Sequence, residues 1–162
     1  MIRVTTPPFH RKEIASVSDL NFPSTVETLD GVSTVEVRTS ANAALIPTIR
    51  AVASDLAARA DFDLDAISDL RMAVDEACAT LVDVAAPTST LRCTFLVHQD
   101  RIEVSAEVSA GQPDATVSTD TFGWRVLQTL ADDVHALRTS GTDGSGPTVG
   151  IRLVKHAGEP PR

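Results

Sequence analysis

Aromatic side chains are scarce in this chain. They make up 4% of its 162 residues, and tyrosine is absent. A binder of single-stranded nucleic acid needs aromatic platforms on which bases stack, so that class is disfavoured. Basic residues are outnumbered, 14 Lys and Arg against 22 Asp and Glu, for a net charge of −8. An acidic surface repels phosphate backbones and anionic lipid. No apolar run approaches membrane-spanning length, and Met-Ile-Arg-Val-Thr-Thr-Pro-Pro at the start lacks the apolar core of a signal peptide. The expectation is therefore a cytoplasmic protein with no membrane and no direct nucleic-acid partner. Cysteine is limited to Cys78 and Cys93, without Cys-x-x-Cys spacing, and the four histidines form no ligand pair. Two thiols on core faces read as apolar packing, and no metal site is expected.

What is present is periodicity. Hydrophobic residues make up 43% of the chain, enough for one domain whose core is built from Val, Leu, Ile and Ala. Residues 1–32, with Pro7-Pro8, Pro23 and His10-Arg11-Lys12, show no sustained period and read as a disordered extension; 157–162 read as a disordered tail. Between them, Val35 and Val37 mark a strand over Thr34–Thr39. Ser40 is placed to cap a helix in which Leu45, Ile49, Val52 and Leu56 share a face, with Pro47 in its early turns. Asp61–Asp65 reads as a loop ending in a cap, followed by a helix that runs to about Ala86 and stops at Pro87. Leu91, Cys93, Phe95 and Val97 alternate, as do Ile102, Val104, Ala106 and Val108, with Gln99-Asp100 as the hairpin turn. A polar loop covers 109–121. A short helix with Val126, Leu127 and Leu130 inward follows, then a strand over Val134–Thr139, a flexible turn over Ser140–Pro147, and a last strand marked by Val149, Ile151 and Leu153. This order predicts an α+β two-layer sandwich, with helices on one face of a mixed, mainly antiparallel sheet.

The helix after Asp65 carries the most information. Ile67, Leu70, Val74, Ala77, Cys78 and Leu81 recur at helical spacing, so one face is buried. Asp75, Glu76, Thr80 and Asp83 lie off that stripe. Glu76 and Thr80, four apart, stand one above the other. The plain reading of such residues is a solvated helix face.

The element order, together with Leu70-Arg-Met-Ala-Val-Asp-Glu76, Phe122-Gly-Trp-Arg-Val-Leu127, Leu130-Ala-Asp-Asp-Val134 and Gly150-Ile-Arg-Leu-Val-Lys-His156, resembles the RsbW-type anti-sigma factors and serine kinases of the histidine-kinase-like ATPase (GHKL) superfamily, in their actinobacterial form. The resemblance spans 33–156 and implies a Bergerat-type sandwich there. In active members of that family a Glu-x-x-x-Asn motif supplies a general base and a magnesium ligand. Phosphoryl transfer rests mostly on positioning and on neutralising phosphate charge. The matching positions here are Glu76, the general base if the chain is active, and Thr80. The family's Asp-x-Gly-x-Gly box, which reads adenine, maps onto Ser109-Ala-Gly-Gln-Pro113. Of its glycines only Gly111 remains, and Pro113 fixes φ and removes an N–H. About a dozen residues separate Gly111 from Gly123, the glycine that opens the next helix near the phosphates, and they include no other glycine and no basic residue. Thr80, Ser109, Gly111 and Gly123 are thus degenerate nucleotide positions, and ATP and magnesium are expected to bind weakly or not at all.

The resemblance implies two functions. One is an anti-sigma factor that sequesters an RNA polymerase sigma subunit and is countered by an anti-sigma-factor antagonist. The other is an active ATP-dependent serine kinase acting on that antagonist. The acidic charge agrees with a basic protein partner. Relatives commonly dimerise, which leaves room for a homodimer.

Overall fold

A computed structural model of the protein describes residues 31–141 and 146–158. All but two residues of the expected N-terminal extension, the middle of the Ser140–Pro147 turn and the end of the tail lie outside the described residues. Strand β1 (Ser33–Ser40) leads through one 3-10 turn (Ala43–Leu45) into helices α1 (Ile46–Arg59) and α2 (Leu64–Val84). The hairpin of β2 (Thr90–Val97) and β3 (Arg101–Ser109) follows, then α3 (Phe122–Leu130) and the hairpin of β4 (Asp133–Thr139) and β5 (Thr148–His156).

The strands form one sheet in the order β1-β2-β3-β5-β4. Each neighbouring pair is antiparallel, so the sheet is not mixed as expected. The reason is topological. The β3-α3-β4 crossover relates two strands of the same direction, but β5 inserts between them and pairs antiparallel with both. The α+β sandwich itself is present.

Strand alternation decides which face is dry. Val37, Leu91, Cys93, Phe95, Ile102, Val104, Ala106, Val149, Ile151 and Leu153 are buried, and they join Ile49, Leu70, Val74, Cys78, Leu81 and Leu127 of the helices in one core. Full burial of a side chain such as Phe95 contributes about 1.5–3 kcal/mol. Few aromatics suffice because Ala53, Ala57, Ala66, Ala73 and Ala77 are buried on α1 and α2 and let the backbones approach. The opposite sheet face carries Glu36, Arg38, Arg92, Glu103, Glu107 and Arg152. Among the described residues no helix is long and apolar enough to cross a membrane.

Several local expectations shift. Ser40 ends β1 and does not cap; Asn42, whose side chain accepts from Ala44 N at 2.9 Å, caps the 3-10 turn, and α1 continues from Leu45 without a side-chain cap. Asp63 caps α2 by accepting from Ala66 N at 2.7 Å, so the loop ends two residues before Asp65. Helix α2 stops at Val84 and not near Ala86, because Ala85 is extended and bridges Ala110. In α3 the buried residues are Trp124 and Leu127, while Val126 and Leu130 are half-buried.

Candidate functional site at the α2–α3 junction

Helix α2 presents its apolar stripe to the core, with Leu70, Val74, Ala77, Cys78 and Leu81 buried. The Cys78 and Cys93 Sγ atoms lie 3.8 Å apart. Their hydrogen bond and burial push the Cys78 thiol well above its ordinary range. Off the stripe, Asp75 ties α2 to α1 by accepting from Arg50 Nη1 at 3.0 Å. Glu76 and Thr80 are half-buried and Asp83 is exposed. The helix carries Asp65, Asp69, Asp75, Glu76 and Asp83 against the single Arg71, so much of the chain's acidity gathers here.

Glu76 and Gly123 are brought together. A Cβ on Gly123 would collide with Glu76 Oε1, and its carboxylate carbon would be 3.1 Å away. Gly123 lies in the first turn of α3, where Thr121 Oγ1 accepts from Trp124 N at 3.1 Å. A carboxylate at this end interacts favourably with the unpaired amides and the helix dipole. The same helix end would receive phosphate in the family's arrangement, and Glu76 already faces it. Two apolar side chains flank the pair: Met72, one turn before Glu76, is 43% exposed, and Phe122, beside Gly123, is 81% exposed.

Gly111 is held elsewhere on α2. Its N–H donates to Val84 O at 3.0 Å, Ala86 N donates to Ser109 O at 2.8 Å, and Ala110 N donates to Pro147 O at 2.8 Å. The segment after β3 is stitched on both sides, and the amides of Ala110 and Gly111 are taken by carbonyls. Gly111 does not have positive φ, and a Cβ there would sit 3.4 Å from Ala85 O, near ordinary contact. The Gly111 amide is thus engaged by a carbonyl, and the Gly123 end of α3 faces the Glu76 carboxylate.

Ser109 is not brought to Glu76. It ends β3 on the face shared with Glu103, Ser105 and Glu107, opposite the helices, and is exposed. The loop from 110 to 121 packs down on the core through Val117, which is buried. Arg138 of β4 holds the loop by donating to Pro113 O at 2.8 Å and Ala115 O at 3.2 Å. Ala110, Gly111, Gln112, Pro113, Arg138 and Pro147 line part of a cavity of about 520 Å³; Glu76, Thr80 and Gly123 do not line it. Sequence reasoning found no basic residue for this loop. The cation comes from a strand whose register with β5, Arg138 opposite Val149, is a tertiary fact. Lys155 was also missed. Its Nζ donates to Asp69 Oδ2 at 2.8 Å and to Leu130 O at 3.0 Å, so β5 fixes α2 against the end of α3.

The five-stranded antiparallel sheet covered by helices on one face, with an acidic helix meeting a glycine at the start of the next, defines the class. A model of the histidine kinase-like ATPase domain matches residues 39–152. The anti-sigma-F factor RsbW of Mycobacterium tuberculosis is 35% identical, over 76% of this chain and 73% of its own. The serine-protein kinases RsbW of Halalkalibacterium halodurans and Bacillus licheniformis are 32% and 28% identical, covering 67% and 66% of this chain and 78% and 80% of theirs. The chain belongs to the RsbW type of the histidine kinase-like ATPase family.

Proposed function

We propose that the protein is an anti-sigma factor that sequesters an RNA polymerase sigma subunit, is released by an anti-sigma-factor antagonist, and has weak or lost ATP binding. The observation that carries the reading is the occupation of the phosphate-facing groups by the chain itself. Glu76 lies against Gly123 at the start of α3, and the Gly111 amide donates to Val84 O. A nucleotide would have to break the Gly111–Val84 bond to use that amide and would meet the Glu76 carboxylate at the start of α3. Protein recognition keeps its surface: the acidic α2, with Met72 and Phe122 exposed beside Glu76, suits a basic partner with apolar anchors.

Titration of ATP and magnesium into the purified chain, read by calorimetry and by the fluorescence of the single tryptophan, Trp124, tests the nucleotide half. Saturation at or below about 10 μM, near −7 kcal/mol, refutes it. Sigma binding is expected to persist in EDTA within about a factor of two, or ~0.4 kcal/mol, and to associate more slowly as salt rises. A requirement for ATP favours the second reading, an ATP-dependent serine kinase acting on the antagonist. The half-buried Glu76 at the family's general-base position is what favours it. Under that reading Glu76→Gln abolishes phosphorylation of the antagonist and spares sigma binding.

A further inference from the structure

Strand β1 is an edge of the sheet, with no neighbour on its outer side among the described residues. Its register shows which backbone groups are left open. Ala41 N donates to Ser89 O at 2.9 Å, one step beyond the Ser40–Thr90 pair. Backbone groups of a strand point to alternate sides, so the N–H groups of Ser33, Val35, Val37 and Thr39 also face β2. Those of Thr34, Glu36, Arg38 and Ser40 face the open edge. The edge is eight residues long and has no proline or bulge to stop another strand from pairing with it. Val35, on its core side, is only half-buried. Nearby, Gly31, Ser33, Leu56, Ala60 and Val97 line part of a cavity of about 710 Å³.

The N-terminal extension shows no sustained period over its length, but the residues that lead into β1 carry a local repeat. Ser24-Thr-Val-Glu27 recurs as Ser33-Thr-Val-Glu36. Between the two copies stands Asp30-Gly31, and an Asp-Gly pair between alternating segments is the strongest short-range signal for a two-residue hairpin turn. Such a turn needs positive φ at both central residues, and Gly31 has φ 70°. A Cβ on Gly31 would meet nothing within 4 Å, so backbone conformation and not packing calls for the glycine. The parity agrees as well. A turn at Asp30-Gly31 makes Leu29 and Val32 a hydrogen-bonded pair and then, in steps of two, Glu27 with Thr34 and Thr25 with Glu36. Thr34 and Glu36 are residues whose N–H groups the β1–β2 register leaves open. Pro23 would come next in that series and has no N–H to give, so the pairing would stop there.

We propose that residues 24–29 fold back along β1 as a sixth strand, so that the open edge is a docking surface for the chain's own N-terminal segment. In this register Val26 stands opposite Val35 and Thr28 opposite Ser33, on the core side of the sheet. The two side chains extend the core beyond Val35, toward Leu56 and Ala60 at the cavity. The added strand satisfies the edge-facing groups of Thr34 and Glu36 and withholds them from strands of other chains, a second copy of this one included.

The test is NMR spectroscopy of the full chain. Short Hα–Hα contacts, seen as NOEs, are expected between Val26 and Val35 and between Thr28 and Ser33, the pairs that are not hydrogen-bonded. The amides of Thr34 and Glu36 should exchange with solvent at least about tenfold more slowly than in Glu27→Pro, which puts a proline into the added strand and removes the N–H that meets Thr34. Val35 and Val37 face β2 and should exchange alike in both proteins, which separates loss of the added strand from loss of the fold. Gly31→Val, strained at positive φ, should remove the same NOEs and the same protection. A sample that mixes isotope-labelled and unlabelled chains assigns each NOE, and all are expected within one chain. An absent Val26–Val35 NOE, unchanged exchange of Thr34 and Glu36 in Glu27→Pro, or contacts across this edge that arise between chains would each overturn the proposal.

Discussion

Lys155→Met is the sharpest test of how the α2–α3 junction is held. The substitution keeps an unbranched apolar stem and removes the ammonium. In the native protein that ammonium touches Asp69 Oδ2 at 2.8 Å and Leu130 O at 3.0 Å, with the lysine and aspartate side chains only 14% and 33% exposed. At 2.8 Å the gross attraction of the ion pair is about 6 kcal/mol for an effective dielectric of ~20. Desolvation of both groups cancels most of this. What the variant registers is the loss of two charge-assisted hydrogen bonds and an Asp69 left half-buried without its cation. Breaking a fully buried pair costs about 3–5 kcal/mol, and the partial exposure of Asp69 lowers this to about 2 kcal/mol. For a domain of this size that is a fall of roughly 6–10 °C in melting temperature. Urea unfolding followed by Trp124 fluorescence measures it, since this residue is 7% exposed and loses its environment on unfolding. Asp69→Asn completes a double-mutant cycle, for which a coupling of about 1–2 kcal/mol is expected. A cost below about 0.5 kcal/mol, or additive single changes, refutes the idea that Lys155 pins the two helices.

Other outcomes follow from the same geometry. Gly150→Ala places a Cβ 2.7 Å from Ala106 O and 3.3 Å from the Glu107 Cβ. The backbone of a central strand cannot yield, so a loss of about 1–3 kcal/mol is expected in urea unfolding, with Gly111→Ala as the mild control. The Arg152 hydrogen bond, supported by Arg101, holds the Glu103 carboxyl below its ordinary value of 4.5 against the opposing effect of burial. Stability from this group is thus present above the unfolded carboxylate's pKa and is lost as pH falls through the lower folded value. Arg152→Gln should move the acid-unfolding midpoint to higher pH, and an unchanged midpoint would refute the assignment. Cys78 and Cys93 are both 0% exposed, and Cys78 is held in its protonated form. Labelling with a thiol reagent should therefore track global unfolding, and fast labelling of the native protein would contradict the packing.

The sequence by itself determined the elements and the core. Period-two runs placed Phe95, Val104 and Ile151 inside, the 3.6-residue stripe placed Cys78 and Leu81 there, and all five are buried, as is Leu127. The reason is that burial of an apolar face is a local pattern before it is a tertiary one. The same alternation already separates Ser109 from the helices, because Val104, Ala106 and Val108 point inward and Ser109 is the next residue out of phase; motif spacing alone hid that. Tertiary structure decided the rest. It set β5 between β3 and β4, which made the sheet wholly antiparallel. It ended α2 early by pairing Ala85 with Ala110, and gave the Gly111 amide to Val84. It laid Glu76 against Gly123, supplied Arg138 to the loop, and set Arg38 beside Arg92. Each of these joins residues far apart in the chain through strand register or a helix crossing, and neither quantity is carried by local hydrophobic periodicity.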